Sequence, residues 1–184
     1  MCECISWLCS FMPYCNSDYT ALNIDGMRLL RLDRKGRKGG GCALYFAEHL
    51  HAIHRKDLFI EGLEAIWLQV KTSSTLALFS VIYRPPDDNL FFERINTPLE
   101  KAWLRSENIF LLGDFNCDFS FQGDPDNILH RNTIKLHSIF ESFNMHNMIQ
   151  EATRSTISSI SLSQQKEISS ALLEYSHGGY QIMI

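Results

Sequence analysis

From residue 23 onward the apolar positions fall into short runs broken by polar or glycine-rich turns. "MRLLRLD" and "CALYFA" read as two strands, joined across the basic, glycine-rich "RKGRKGGG" into a β-hairpin with a long tip. "LEAIWLQV" and "LALFSVIY" are two further strands, set apart by the turn residues of "KTSST". The second is apolar almost throughout and is expected to be buried on both faces. Arg84-Pro85-Pro86 ends it, because proline brings no ladder donor. "DDNLFFERINTPLEKAWLRS" then takes a helical period, with Phe91, Phe92, Ile95, Leu99 and Trp103 in step. Pro98 is expected to kink or divide that helix, and Asp87 and Asp88 are placed to cap it. "NIFLL" is the next strand. "DNILHRNTIKLHSIFESFN" is a second helix with Leu129, Leu136, Ile139, Phe140 and Phe143 on one face. "HNMIQEATR" reads as a short strand and its exit, and "EHLHAIHRKDLF" as an exposed polar connection.

Strands in succession that then alternate with helices predict an α/β fold, a sheet with helices packed on its face. The ends do not share this order. Residues 1–22 show no clear period, with 1–16 an atypical segment ahead of the domain, and residues 157–184 are serine-rich and weakly patterned. A length of 184 residues fits one domain, and 45% apolar with 21% charged residues is ordinary globular composition. A net charge of −4 argues against a broadly basic coat but leaves room for local patches. Cys2, Cys4, Cys9 and Cys15 crowd the N-terminus without the paired C-x2-C knuckles of structural zinc sites. Glu3 sits where a secretory leader carries Lys or Arg, and the apolar run after it is too short to span a bilayer. The expectation is an intracellular protein, nuclear or cytoplasmic, with reduced thiols and no membrane partner. A metal or disulfide cluster is the alternative.

Three stretches carry candidate chemistry. In "NIFLLGDFNCDFS" a buried strand runs into Gly113, where the chain can turn, and then presents Asp114 and Asn116 two residues apart on one side. A carboxylate can move a proton while a carboxamide donates to a phosphate oxygen without adding negative charge. The same residues also serve as plain turn formers. In "VIYRPP" a buried strand ends beside two stiffening prolines, with Tyr83 placed for a phosphate or simply for packing on the next helix, and Arg84 placed to add charge for a nucleic-acid backbone. In "RLLRLDRKGRKGGG", six of fourteen residues are Lys or Arg against one Asp. Arg34, Lys35, Arg37 and Lys38 suit a nucleic-acid backbone, or a solvated hairpin tip. His49, His51 and His54 form H-x-H-x2-H in the polar connection, which reads as an exposed loop ahead of a metal site.

Taken in order, "RLDRKGRKGGGCALY", "LEAIWLQV", "VIYRPP", "FLLGDFNCD" and "EATR" resemble the endonuclease/exonuclease/phosphatase domain, the fold shared by deoxyribonuclease I and the apurinic/apyrimidinic endonucleases. Y-R-P-P with G-D-F-N is closest to the form carried by non-LTR retrotransposons. The resemblance covers residues 17–156. It implies a four-layered α/β sandwich, two packed sheets with helices outside, here incomplete. It implies phosphodiester cleavage with Mg²⁺, nicking of target DNA, and DNA as partner. By motif match Asp114 is the catalytic carboxylate, Asn116 the phosphate-contacting amide and Tyr83 the site tyrosine.

The resemblance also shows what is missing. An early strand should supply an asparagine and a metal-holding glutamate, yet no acidic residue lies between Glu3 and Asp18. After "EATRST" an S-D-H motif should follow, and the chain offers only Ser176-His177. Losing a metal's charge compensation costs several kcal/mol, and losing a histidine acid or base costs roughly 10²–10⁴-fold. The expectation is a truncated, impaired endonuclease-type hydrolase. The alternatives are a non-catalytic retrotransposon remnant with weak nucleic-acid binding, and a phosphoinositide or sphingomyelin phosphodiesterase on the same fold. Missing strands should also leave faces such as "LALFSVIY" partly uncovered.

Overall fold

The computed structural model describes residues 5–8, 23–34, 41–71, 76–106, 108–117, 128–147 and 180–183. Its strands are β1 (Ile5–Leu8), β2 (Met27–Leu32), β3 (Cys42–Ala47), β4 (His51–His54), β5 (Glu64–Lys71), β6 (Leu76–Tyr83), β7 (Asn108–Asp114), β8 (Met145–Asn147) and β9 (Tyr180–Met183). Its α-helices are α1 (Phe91–Trp103) and α2 (Ile128–Ser142). The class is α/β, consistent with a sandwich. A three-stranded antiparallel sheet runs β1-β3-β2, and a six-stranded mixed sheet runs β4-β5-β6-β7-β9-β8. In the larger sheet β4-β5-β6 pair antiparallel, and the pairs from β6 through β7 and β9 to β8 are parallel.

Strand alternation divides the core in two. On one face of the larger sheet Ile66, Leu68, Val70, Phe79, Val81, Phe110 and Leu112 meet Cys42, Leu44 and Phe46 of the smaller sheet. On the other face Ala65, Trp67, Leu78, Ile82, Ile109 and Leu111 meet Phe91, Phe92, Ile95 and Leu99 of α1, with Leu136 and Phe140 of α2. β6 sits between both layers, so Ala77 to Ile82 are all buried. The expected uncovering of this strand does not occur, because the smaller sheet and the helices close over its two faces. Among the described residues the layers are sheet, sheet and helices; a fourth layer outside the smaller sheet is not among them.

Several boundaries differ from expectation. α1 runs as one helix through a buried Pro98 rather than dividing there. Trp103 is 45% exposed, and Ala102 takes the buried position at that turn instead. Asp88 Oδ1 accepts the Leu90 N–H at 3.0 Å just ahead of the helix. His51–His54, expected in a loop, is the edge strand β4. The C-terminal segment contributes β9, which inserts between β7 and β8 and extends the parallel part of the sheet. No helix among the described residues is long and apolar enough to cross a membrane.

Candidate functional site

Tyr83 and Asp114 are the last residues of β6 and β7, and they are register partners in the parallel pair. Glu64, the first residue of β5, is the register partner of Tyr83 on its other side. Register partners share a face, so Glu64, Tyr83 and Asp114 form a row across three strands at one rim of the sheet. Alternation from Ile66, Val81 and Leu112 puts the row on the face toward the smaller sheet. All three are half-buried.

The chain turns sharply after Asp114. Its Oδ1 accepts the Asn116 N–H at 2.9 Å, an Asx-type turn. Asn116 sits at φ +48°, a left-handed conformation that asparagine tolerates better than most residues. Between them Phe115 points down into the helix layer, with ring edges toward Phe91 (6.1 Å between centroids) and Phe140 (5.7 Å). An aromatic residue in the middle of the turn thus anchors it while its two polar neighbours remain at the rim.

Arg84 staples this turn to the end of β6. Its N–H donates to Asp114 O at 2.8 Å, and its carbonyl accepts from Asn116 Nδ2 at 2.7 Å. Its guanidinium Nη1 donates to Phe115 O at 3.1 Å and Asn116 O at 3.2 Å. The side chain is fully buried, with the guanidinium carbon 4.8 Å from the centre of the Phe92 ring. The sequence offered Arg84 as a cation for a nucleic-acid backbone; its place is under the turn, holding Asn116 beside Asp114. Close approach of the strands requires Gly113. Its φ is +148°, and a Cβ there would lie 1.8 Å from Ile82 O.

The basic hairpin divides. Arg28 lies over the Phe46 ring at 4.7 Å and donates to Leu50 O. Arg31 pairs with Asp33, and Arg34 with Glu64. Lys35, Arg37 and Lys38 lie outside the described residues. So do Glu3, the four N-terminal cysteines and His177. His49, His51 and His54 are exposed, on a turn and on an edge strand. Partial burial, and then the Lys56 charge, lower the His54 pKa. A cavity of about 350 Å³ is lined by Arg31, His54, Arg55, Lys56 and Phe59, with Ala65, Ile66 and Trp67 of β5. Its arginines already hold Asp33 and Asp57.

Cys117, next to Asn116, has its thiol pushed up to about 11 by burial; the Arg84 cation opposes this and the Asp114 charge adds to it. It stays a protonated packing group at neutral pH. As for Mg²⁺, no group of three or more His, Cys, Asp or Glu among the described residues is arranged to hold a metal. Both Glu64 oxygens are taken, by Arg34 and by the Gly41 N–H. The described residues therefore do not make a metal site by themselves. The residue that sequence reading passed over is Glu64. Its signal was an acidic residue opening an otherwise apolar strand, which reads equally well as a simple strand boundary.

No family profile matches this chain, and no curated protein matches it. Among solved structures, the endonuclease domain of TRAS1, a telomere-specific non-LTR retrotransposon, is similar at a TM-score of 0.49 and 14% identity. The match covers 66% of this chain and 54% of that one, so the chain spans about half that domain's length.

Proposed function

We propose that this chain is part of an endonuclease-type phosphodiesterase domain of retrotransposon origin, acting on DNA and impaired in turnover. One observation carries the reading: Tyr83 and Asp114 are register partners at the sheet rim, and Asn116 is tied beside them through Arg84. A hydroxyl, a carboxylate and a carboxamide held at one rim match what diester hydrolysis asks of a protein. In this reading Asp114 moves the proton, and Asn116 donates to a non-bridging phosphate oxygen. Tyr83 orients the phosphate through its hydroxyl. Lys35, Arg37 and Lys38 supply charge for the nucleic-acid backbone. Mg²⁺, when bound, would offset phosphate charge, and the resemblance places its missing glutamate in the N-terminal stretch. Turnover is slow because that glutamate and the S-D-H histidine are not in this sequence.

The test is nicking of supercoiled plasmid in magnesium buffer by the wild type and by Asp114→Ala. Slow nicking by the wild type, reduced about 10²-fold or to background in the variant, is expected. Equal rates overturn the hydrolase reading. The second reading is a non-catalytic nucleic-acid binder. It is favoured by the engagement of both Glu64 oxygens, which leaves that acidic residue of the row committed to the hairpin. Retained DNA binding with background nicking in both proteins would select it.

A further inference from the structure

Both oxygens of the Glu64 carboxylate are used, and they grip the two ends of one loop. Oε1 accepts from Arg34 Nε at 2.6 Å, and Nη2 of the same guanidinium lies 2.5 Å away. Oε2 accepts the Gly41 N–H at 2.7 Å. Arg34 and Gly41 stand on either side of residues 35–40, so one side chain from β5 spans the neck of the β2–β3 hairpin. Gly41 is suited to its place: φ is +94°, and a Cβ would come within 2.7 Å of Leu32 O. The next residue adds a further tie, with the Cys42 thiol donating to Glu64 O at 3.3 Å.

The same ion pair reaches the candidate site. The Arg34 guanidinium carbon lies 5.3 Å from the centre of the Tyr83 ring, and Tyr83 is the register partner of Glu64. A guanidinium at that distance from a tyrosine face is held by the ring as well as by its carboxylate. The Arg34 and Glu64 side chains are each 17% exposed, so the pair is largely out of water and weakly screened.

We infer that Glu64 is a positioning residue: its carboxylate locks Arg34 against the Tyr83 ring and Gly41 at the sheet rim, fixing the neck of the basic hairpin beside the Tyr83–Asp114 pair. The locking stands on the geometry alone. Its consequence for DNA rests on the reading proposed above, and the two are tested by separate measurements.

The first measurement needs no DNA. Glu64→Gln keeps the shape and removes the charge. Limited trypsin digestion is followed at Lys35, Arg37 and Lys38, with cleavage elsewhere and Tm as controls. About tenfold faster cleavage at these three positions, with the controls unmoved, is expected from losing a partly buried charge-assisted clamp. An unchanged rate there overturns the inference. The second measurement is duplex DNA binding across a salt series for Glu64→Gln, Arg34→Gln and the double variant. Positioning predicts that each single variant weakens binding by about three- to tenfold, that the double is no weaker than either, and that the salt slope is unchanged. If Arg34 contacts phosphate directly, Glu64→Gln tightens binding and Arg34→Gln lowers the slope by about one, which overturns the inference. A wild type that binds no DNA removes the proposed function, while the trypsin rates still decide the clamp.

Discussion

Arg84 ends its side chain among carbonyl oxygens rather than carboxylates, and it has no exposed surface. Arg84→Met keeps much of the stem packing on Phe92 and leaves two turn carbonyls without their donor. An unfolding free energy lower by about 2–4 kcal/mol is expected in urea titration. A loss within experimental scatter would remove the staple from the account. Cys117 gives a pH test. Its folded thiol sits near 11 against an ordinary value of 9.0, so the folded state keeps the proton longer than the unfolded one. Its contribution is fully present below about pH 9 and is lost as pH rises toward about 11, at no more than about 1.4 kcal/mol per pH unit. Comparing wild type with Cys117→Ser in urea at about pH 8 and about pH 10 isolates it, and the wild type should lose more. Tyr83, Asp114 and Asn116 were legible in sequence because each stands in a short signature at a strand end. Arg84 and Glu64 were not, because their roles depend on partners 30 or more and 23 or more residues away.

The strands and helices were read from period and punctuation, and the long apolar elements came through because burial enforces a clean pattern. β6 and β7 are such elements, each with a continuous buried run. β4 was taken for a loop because an edge strand of four residues, three of them exposed, carries no usable alternation. α1 was expected to suffer at Pro98, but that position faces the core and packing keeps the helix in one piece. The element most dependent on a single residue is the end of β7. Gly113 combines a φ that side chains avoid with a site where a Cβ would lie 1.8 Å from Ile82 O. Gly113→Ala must therefore push β6 and β7 apart where Tyr83 meets Asp114. A loss of about 3 kcal/mol or more is expected in thermal or urea unfolding, and an unaltered midpoint would contradict the close approach.

At the scale of the molecule, two sheets share one core and the helices close the other, and both cores end at the same rim. What period could not show is how the C-terminal segment joins the sheet. β9 lies between β7 and β8, and β8 pairs with it in parallel. A chain ending before Tyr180 loses that strand and bares an edge of β7. Such a truncation should elute as oligomers in size-exclusion chromatography, and a monomer of unchanged stability would argue against the strand order. The rim itself is tested most directly by initial rates of plasmid nicking for Tyr83→Phe, Asn116→Ala and the two combined, each checked for an unchanged Tm. Residues acting on one phosphate as a set predict single losses of about 10-fold or more and a combined loss well below their product. Rates equal to wild type in both single variants would contradict the claim that this rim is where the diester is held.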